Sequence, residues 1–396
     1  MATDWEIHQQ RDIPQEAWQY LKYHRFFGLL IPREYGGLGF SATGYGTVMT
    51  KLVSQSFVYG ATVGGANTLG PTRLLLHSGT EIQKQYYLPR LAIGREIPCF
   101  VMMETENDFC GTGARSSGII FKSIDDGELY LRLNWPSRTV ALGAIATLIG
   151  LAIHLRDPDN LLDKGTNLGI TCVLVPTNTP GVSRGYRHDP MGVPFYYSPI
   201  AGRNVVLPVS QIIGGIEQAG QGVEAIRKSL YTYGGINFSS TCMGLTKLVS
   251  RVTSAHRVIQ EQNVFIKQPQ KVPALAFARL GSLTYAMDAA HQDLCSTPTE
   301  GITDIQQEPS TVIAAIAQHT LPSIIHNLLY DGLQSLGKAG ICRGPNNLLA
   351  SLYMATPLLN PMAELTSSHH HECFYHQSIL YYNRDLIDVI TGVEDN

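Results

Sequence analysis

Apolar residues in the first part of the chain recur at helical spacing. Within residues 1–97, the spacing of Trp18 and Leu21 places both side chains on one side of a helix. Thr80, followed three positions later by Gln83, is a capping-box pattern, so a helix is predicted to begin there. These patterns together predict a helical amino-terminal region.

The pattern changes near residue 98. Between residues 98 and 213, short apolar runs alternate with Gly, Pro, Asp and Asn, a spacing that is typical of antiparallel β-structure. The clearest runs are 118–121, 129–133, 170–175 and 204–207. Asp125, Asp126 and Gly127 form a predicted hairpin turn between the first two runs.

Helical spacing returns after Gly215 and continues to the end of the chain. The predicted helices are 222–233, 236–262, 272–294, 309–336, 345–355 and 364–390. Long helices joined by short loops favour a four-helix bundle. The chain is therefore predicted to have an α+β fold with three domains: a helical domain at 1–97, a β domain at 98–215 and a helical bundle at 216–396.

The composition is that of an ordinary soluble globular protein. Hydrophobic residues make up 44% of the 396 residues and the net charge is −3, which argues against a nucleic-acid-binding surface. The longest apolar stretch, residues 140–153, is too short to span a bilayer. The seven cysteines show no CxxC pairing, and the first residues lack the features of a secretory signal. Reduced thiols and a cytoplasmic location are therefore expected.

Four ordered segments between residues 31 and 100 carry a family resemblance. They read Ile31-Pro-Arg-Glu-Tyr-Gly-Gly-Leu-Gly-Phe40, Leu74-Leu-Leu-His-Ser-Gly-Thr80, Gln83-Lys-Gln-Tyr-Tyr-Leu-Pro-Arg-Leu-Ala92 and Glu96-Ile-Pro-Cys-Phe100. In this order they resemble the amino-terminal helical domain of the acyl-CoA dehydrogenases, closest to the long bacterial fatty acyl-CoA enzymes. The resemblance extends over nearly the whole chain, although the first domain is shorter than the family's by about one helix. It implies a helical domain, an antiparallel β domain and a four-helix bundle, the same order that the periodicity predicts.

The resemblance also implies a chemistry and an assembly. In this family FAD lies between the β domain and the bundle, a glutamate removes the α-proton of an acyl thioester, and the flavin accepts the β-hydride. Burial in a dry site raises the pKa of such a glutamate and makes it a competent base. The implied state is a homo-oligomer that binds acyl-CoA, with FAD held across a subunit interface.

The first flavin-contacting element departs from the family pattern. Met102 and Met103 stand where the family has Leu-Thr, and residues 107–110 replace Ala-Gly-Ser-Asp. As a result, Asp108 and Phe109 are expected to face the pyrophosphate, where a carboxylate repels the phosphates and a ring blocks them. The alternative is that this loop repacks and its backbone N–H groups still bind the flavin.

The second flavin element keeps Trp135 and Arg138. The aromatic-Ile-Thr sequence that follows in the family is replaced at residues 139–141, so a flavin-facing hydroxyl is absent from its usual position. Large aromatic residues also commonly fill β-domain cores, so Trp135 is either a flavin contact or a core residue.

Two further flavin elements lie in the predicted bundle. Gln260 matches the segment that reaches the adenine end of FAD, but Glu261 follows it where the family has an aromatic residue. Arg257 and Glu261 have the i,i+4 spacing of an ion pair on a solvated helix face, which is the favoured interpretation. Gly337 and Gly340 match the family's glycine-rich turn, and the alternative is that this turn only ends a helix.

The catalytic base is displaced in the alignment. Ala363 occupies the position of the family's glutamate, and Glu364 follows one residue later. One residue on a helix is a rotation of about 100°, so Glu364 is expected to point elsewhere unless Pro361 changes where the helix starts. The alternative role for Glu364 is a first-turn carboxylate stabilised by the helix dipole.

A histidine-rich segment follows the displaced base. His369, Cys373 and His376 share one helical face and form a candidate metal cluster, but no second ligand pair is identifiable, so no metal is expected. His370 and His371 are candidate general bases in place of the lost carboxylate.

Three functional hypotheses follow. The first is a flavin-free member of the family that binds an acyl thioester, another apolar ligand or a protein partner in the old cleft. The second is an FAD-dependent acyl-CoA dehydrogenase with Glu364 as its base. The third is a non-redox isomerase, hydratase or cyclase that uses a histidine or glutamate in the same cavity. The first is favoured, because the loss of flavin-dependent chemistry by itself accounts for three weakened flavin elements and a displaced base. A purely structural or interaction role is a fourth alternative.

Overall fold

The structure, a computed structural model, describes residues 3–102, 116–262, 272–296 and 309–359. Helices come first, strands second and helices last along the chain, as the α+β prediction requires. The exact domain limits at residues 97 and 215 stay a prediction.

The amino-terminal region contains six described α-helices. They are α1 (Asp4–Gln10), α2 (Gln15–Tyr23), α3 (Ala42–Val53), α4 (Phe57–Thr68), α5 (Pro71–Ser78) and α6 (Glu81–Ala92). The predicted capping box at the start of α6 is confirmed, because Thr80 and Gln83 each accept a hydrogen bond from the other's backbone N–H. Every residue of α4 is buried, so this helix lies at the centre of the helical layer.

Seven described strands form one sheet. They are β1 (Pro98–Val101), β2 (Ser117–Lys122), β3 (Leu129–Val140), β4 (Leu148–Arg156), β5 (Asn167–Pro176), β6 (Val182–Arg184) and β7 (Ser198–Pro208). The order is β1-β4-β2-β3-β7-β6, and β5 pairs with β4. The predicted hairpin turn is confirmed, because β2 and β3 pair antiparallel from Lys122 and Leu129 onward and Gly127 has a φ of +72°.

The prediction of a purely antiparallel β domain is wrong at β4. This strand pairs with both β1 and β2 in parallel, and with β5 in antiparallel along its whole length. Because β5 occupies one edge of β4, β1 and β2 share the other edge, end to end. Alternating short apolar runs indicate strands but carry no information about which edges pair, so the sequence pattern missed this arrangement.

The carboxy-terminal region contains five described helices. They are α7 (Gly222–Gln262), α8 (Val272–Ser296), α9 (Pro309–Leu336), α10 (Lys338–Ile341) and α11 (Leu348–Ala355). The predicted break between helices at residues 234–235 is wrong, since α7 runs through that glycine pair. Both glycines are buried, and packing on neighbouring helices supports a helix that glycine alone disfavours.

Two hydrophobic clusters of buried residues join the helices and the sheet. None of the described helices combines the length and apolar character that crossing a bilayer requires. The five described cysteines all have free thiols; Cys342 is exposed, and the others are buried, namely Cys99, Cys172, Cys242 and Cys295.

Candidate functional site

The first flavin element begins on β1, beside a gap in the pairing along one edge of β4. Val101 of β1 pairs with Leu151, and Ser117 of β2 pairs with His154 on the same strand. Those two positions on β4 are three residues apart, or about 10 Å at the rise of a β-strand. Met102, half-buried, follows β1 directly. The described residues on either side of this segment therefore lie close together on the edge of β4. Met103 and residues 107–110 lie outside the described residues.

Trp135 lies in the core of the sheet. It is 2% exposed and pairs in register with Gly202 of β7, where an added Cβ would overlap the indole ring. Irregularities in the β3–β7 register flank Trp135 on both sides. Its indole N–H has no acceptor among the described residues. The ring is thus a core residue, and its polar edge lacks the partner that a buried donor normally has.

Arg138 lies three residues further along β3, opposite Ile200 of β7. Its guanidinium group is partly buried, and the resulting desolvation lowers its pKa below the usual range. The second flavin element therefore places an indole and a cation on a strand of the sheet.

The element expected at the adenine end of FAD is engaged within the chain. The Gln260 side-chain amide lies 2.7 Å from a ring nitrogen of His256, one turn earlier on α7. The Arg257 guanidinium lies over the ring of Phe277 on α8, 4.6 Å from its centroid. The side chain of Glu261 is outside the described part of the chain, so the predicted pair with Arg257 stays a prediction.

The glycine-rich turn has a role inside the bundle. Gly337, with a φ of +59°, separates α9 from α10. A Cβ at Gly340 would overlap the carbonyl oxygen of Leu333. The Asn347 amide donates to the carbonyls of Gly340 and Cys342 at 2.8 and 3.0 Å. The need for glycine is therefore explained by helix termination and close packing.

The candidate catalytic residues Glu364, His370 and His371 lie beyond the last described residue, as do Ala363 and the predicted histidine-rich cluster. Their orientation stays a prediction.

A polar cluster that the sequence did not reveal lies between α3, α4 and α7. The Tyr45 hydroxyl donates to Asn237 Oδ1 at 2.8 Å, and a Cβ at Gly64 would overlap the same amide. Burial raises the pKa of Tyr45 far above its ordinary value. Near this cluster the Arg73 guanidinium stacks 3.7 Å from the centroid of the Tyr233 ring. A neutral phenol that is hydrogen-bonded to an amide holds helices together and is not an acid or base at ordinary pH.

A cavity of about 1350 Å³ opens among α1, α3, α7, α8 and α11. Every residue that lines it lies in a helix or in a turn between helices. It is larger than the usual range for small-molecule sites, about 300–1000 Å³. No sequence motif predicts this cavity, because the residues that line it come from five separate segments of the sequence.

His291 and Cys295 of α8 lie at the buried edge of this cavity. His291 is 8% exposed, and its Nδ1 atom lies 3.0 Å from Ser239 Oγ of α7. Burial lowers the pKa of His291, and burial raises the pKa of the Cys295 thiol to about 11. At neutral pH the pair is a neutral imidazole beside a protonated thiol, which is not an activated nucleophile.

The comparisons with known proteins agree with this fold. Residues 1–95 match the model of the acyl-CoA dehydrogenase N-terminal domain. A probable acyl-CoA dehydrogenase from Mycobacterium bovis is 26% identical over 341 residues, which are 84% of this chain and 50% of that protein. A Proteus mirabilis protein called HemX is 43% identical over 104 residues, which are 26% of this chain and 61% of that protein. The chain thus spans between half and two thirds of these two relatives.

The fold similarity covers almost all of the chain. The structure of butyryl-CoA dehydrogenase from Megasphaera elsdenii aligns with a TM-score of 0.72, covering 92% of each chain at 19% identity. At that identity the likeness concerns the fold alone. The helix, sheet and helix order of this chain is the order of that fold.

Proposed function

This chain belongs to the acyl-CoA dehydrogenase family, and from that premise we propose that it binds an acyl thioester or another apolar ligand without the ordinary FAD-dependent dehydrogenation. The proposal concerns a cytoplasmic homo-oligomer assembled through its helical bundle. It rests on how the chain uses the positions at which the family binds FAD.

The observation that carries the proposal is at the end of α7. The Gln260 amide is directed to His256, and the Arg257 guanidinium covers Phe277. Both contacts are local and join α7 to itself and to α8. By resemblance, the residue at the position of Gln260 serves the adenine end of FAD, and here its amide is engaged within the chain.

The described residues fit FAD unevenly. At the sheet, the buried Trp135 indole N–H without an acceptor is compatible with a bound polar group. At the end of α7 and at the turn after α9, the side chains and glycines serve the chain's own packing. In addition, the sequence places Asp108 and Phe109 where the pyrophosphate belongs. A dinucleotide that has lost its adenine and phosphate contacts loses most of its binding energy.

An absorbance spectrum tests the loss of flavin. The protein is purified, incubated with a tenfold excess of FAD and desalted, with butyryl-CoA dehydrogenase as the positive control. We expect no flavin absorbance bands, because a dinucleotide without its adenine and pyrophosphate contacts loses most of its binding energy. Flavin bands at near one equivalent per chain contradict the proposal.

Thermal unfolding tests the ligand. We expect dodecanoyl-CoA to raise the unfolding temperature and free CoA to have little effect, because an apolar chain requires an apolar slot. A ligand present at 100 times its Kd stabilises a protein by about 2.7 kcal/mol, an effect that thermal unfolding detects. Equal effects of CoA and dodecanoyl-CoA contradict acyl binding, whatever the outcome of the flavin test.

A second candidate function is FAD-dependent dehydrogenation with Glu364 as the base. The observation in its favour is the buried indole N–H of Trp135, which lacks an acceptor among the described residues. FAD, when bound, supplies the hydride acceptor in this family. If the purified protein carries flavin, anaerobic bleaching by dodecanoyl-CoA is expected, and Glu364→Gln is expected to slow it at least a hundredfold. No bleaching, or equal rates in the two proteins, excludes this candidate.

A further inference from the structure

We propose that the cavity among α1, α3, α7, α8 and α11 binds a single-chain amphiphile with an anionic head group. The site is separate from the flavin positions, and the inference does not depend on the function proposed above.

α3 and α7 form two neighbouring walls of the cavity. The two helices pack closely at Gly244, where a Cβ would lie 2.7 Å from the Thr50 carbonyl oxygen and 2.8 Å from Val53 Cβ. Beyond this crossing, α7 continues along one wall of the cavity. The small residue therefore permits close packing of α3 and α7, and residues of both helices line the cavity.

The α7 wall carries two parallel stripes. Lys247 and Arg251 are spaced i,i+4 and are exposed, and Leu248 and Val252 are spaced in the same way beside them. Cationic and apolar groups thus run side by side along the same wall. An anionic amphiphile has a charged head group and an apolar chain, which complement these cationic and apolar side chains.

Three cations, Lys51, Lys247 and Arg251, line the cavity together with three acids, Asp4, Asp288 and Asp293. Lys247 pairs with Asp288 at 2.7 Å. Lys51 and Arg251 have no ion pair among the residues that the structure describes. The two cations without an ion pair belong to α3 and α7, and both line the cavity. An anion between them satisfies both.

The acids that line the cavity are engaged elsewhere. Asp4 Oδ1 accepts from Ser56 Oγ at 2.6 Å, and Asp4 Oδ2 accepts from Ser351 Oγ at 2.8 Å. Asp293 also has contacts of its own. Asp4, Asp288 and Asp293 equal the three cations of the cavity in number, but each acid has a partner, whereas Lys51 and Arg251 have no ion pair among the described residues. An anionic head group is therefore favoured beside these two cations.

The opposite wall supplies the apolar surface for a chain. Leu348 of α11 is 43% exposed and Leu352 of the same helix is buried. Both line the cavity together with Tyr59 and Val53. When an alkyl chain covers an exposed leucine in a concave surface, the complex is stabilised by about 25 cal/mol per Å² of apolar surface buried.

Calorimetric titration at low ionic strength tests the proposal. The probes are dodecyl phosphate and dodecanoate, which separate a phosphate from a carboxylate source of the anion, and dodecyltrimethylammonium as the cationic isostere. All are used below their critical micelle concentrations. We expect one of the two anionic probes or both to bind, the cationic probe not to bind, and affinity to fall as salt is added. Octyl phosphate is expected to bind more weakly than dodecyl phosphate, by up to about fourfold per methylene.

Two variants locate the binding. The double variant Lys51→Gln and Arg251→Gln is expected to weaken the anionic probes at least tenfold, and Lys122→Gln, an exposed cation on β2, is the matched control. Leu348→Gln is expected to reduce the difference between dodecyl and octyl phosphate. Equal affinities in the wild type and the double variant overturn the proposal. A change of oligomeric state by light scattering, without a change in probe affinity, overturns it as well and assigns the face to a second copy of the chain.

Discussion

At the scale of single residues, Trp135 shows how a family motif is placed in this structure. The residue stands where the resemblance expects a flavin contact, yet its ring lies in the sheet over Gly202. The Trp135 ring needs a neighbouring residue without a side chain, and Gly202 of β7 is that residue. A large aromatic residue and a glycine facing each other across a β-ladder are a packing pair that neither segment reveals alone.

The replacement Gly202→Ala tests this pair. A Cβ would overlap the Trp135 indole, so we expect the free energy of unfolding to fall by about 1–3 kcal/mol, the usual cost of overpacking a core. Urea denaturation measures it. The control is Gly281→Ala on α8, where an added Cβ meets nothing within 4 Å and a gain of about 0.5–1 kcal/mol is expected. Equal effects of the two substitutions contradict the packing argument.

At the scale of secondary-structure elements, α7 and α8 are joined by a buried polar contact. Ser239 Oγ of α7 meets His291 Nδ1 of α8 at 3.0 Å, and a Cβ at Gly46 of α3 would lie 2.8 Å from Cys295 Sγ. Burial has the largest effect on the pKa of His291, and the charges of Asp288 and then Lys247 have smaller effects. Three helices therefore meet at a histidine that is neutral in the folded chain.

This histidine makes stability depend on pH. Burial lowers its folded-state pKa below the ordinary value of about 6.5, so the unfolded chain takes up a proton first as the pH falls. The contribution of neutral His291 to the free energy of unfolding is fully present above pH 6.5 and is lost as the pH falls through the folded-state pKa. We expect His291→Gln to flatten the fall in unfolding free energy between pH 7.5 and 5, measured by urea denaturation. His24→Gln, at an exposed position, is the control and is expected to keep the slope. An unchanged slope in His291→Gln contradicts the assignment.

At the scale of the whole molecule, the first helix is tied to the last described one. Asp4 of α1 accepts from Ser56, the residue that precedes α4, and from Ser351 of α11, which is 347 positions away. His8 lies one turn further on, 3.6 Å from the same carboxylate. One carboxylate thus connects three helices that the chain separates widely.

Removing this carboxylate is expected to loosen α1. Asp4→Ala leaves two hydroxyl donors without an acceptor, and we expect a loss of about 1–3 kcal/mol. Hydrogen exchange is expected to rise in the amides of α1 and α11 and to stay unchanged in α8. Asp4→Asn, which keeps an acceptor oxygen, is expected to lose less than half as much. Faster exchange across every helix indicates general destabilisation and contradicts a local tie.

The family fold could be predicted from the sequence, and its chemistry could be predicted only in part. Ordered motifs and helical spacing identified the helix, sheet and helix order, the capping box at Thr80 and the hairpin at Gly127, because these signals are local in sequence. The same local signals failed at the glycine pair within α7. There, packing that no local pattern encodes keeps the helix intact.

Tertiary structure alone decided what surrounds each candidate residue. Gly202 beneath Trp135, the end-to-end pairing of β1 and β2 on β4, and the Asp4 tie come from residues far apart along the chain. The helical cavity likewise has both Lys51 and Arg251 in its lining. The reason is physical: hydrophobic periodicity determines which side of an element is buried, but the partner of that side is chosen by the packing of the whole chain.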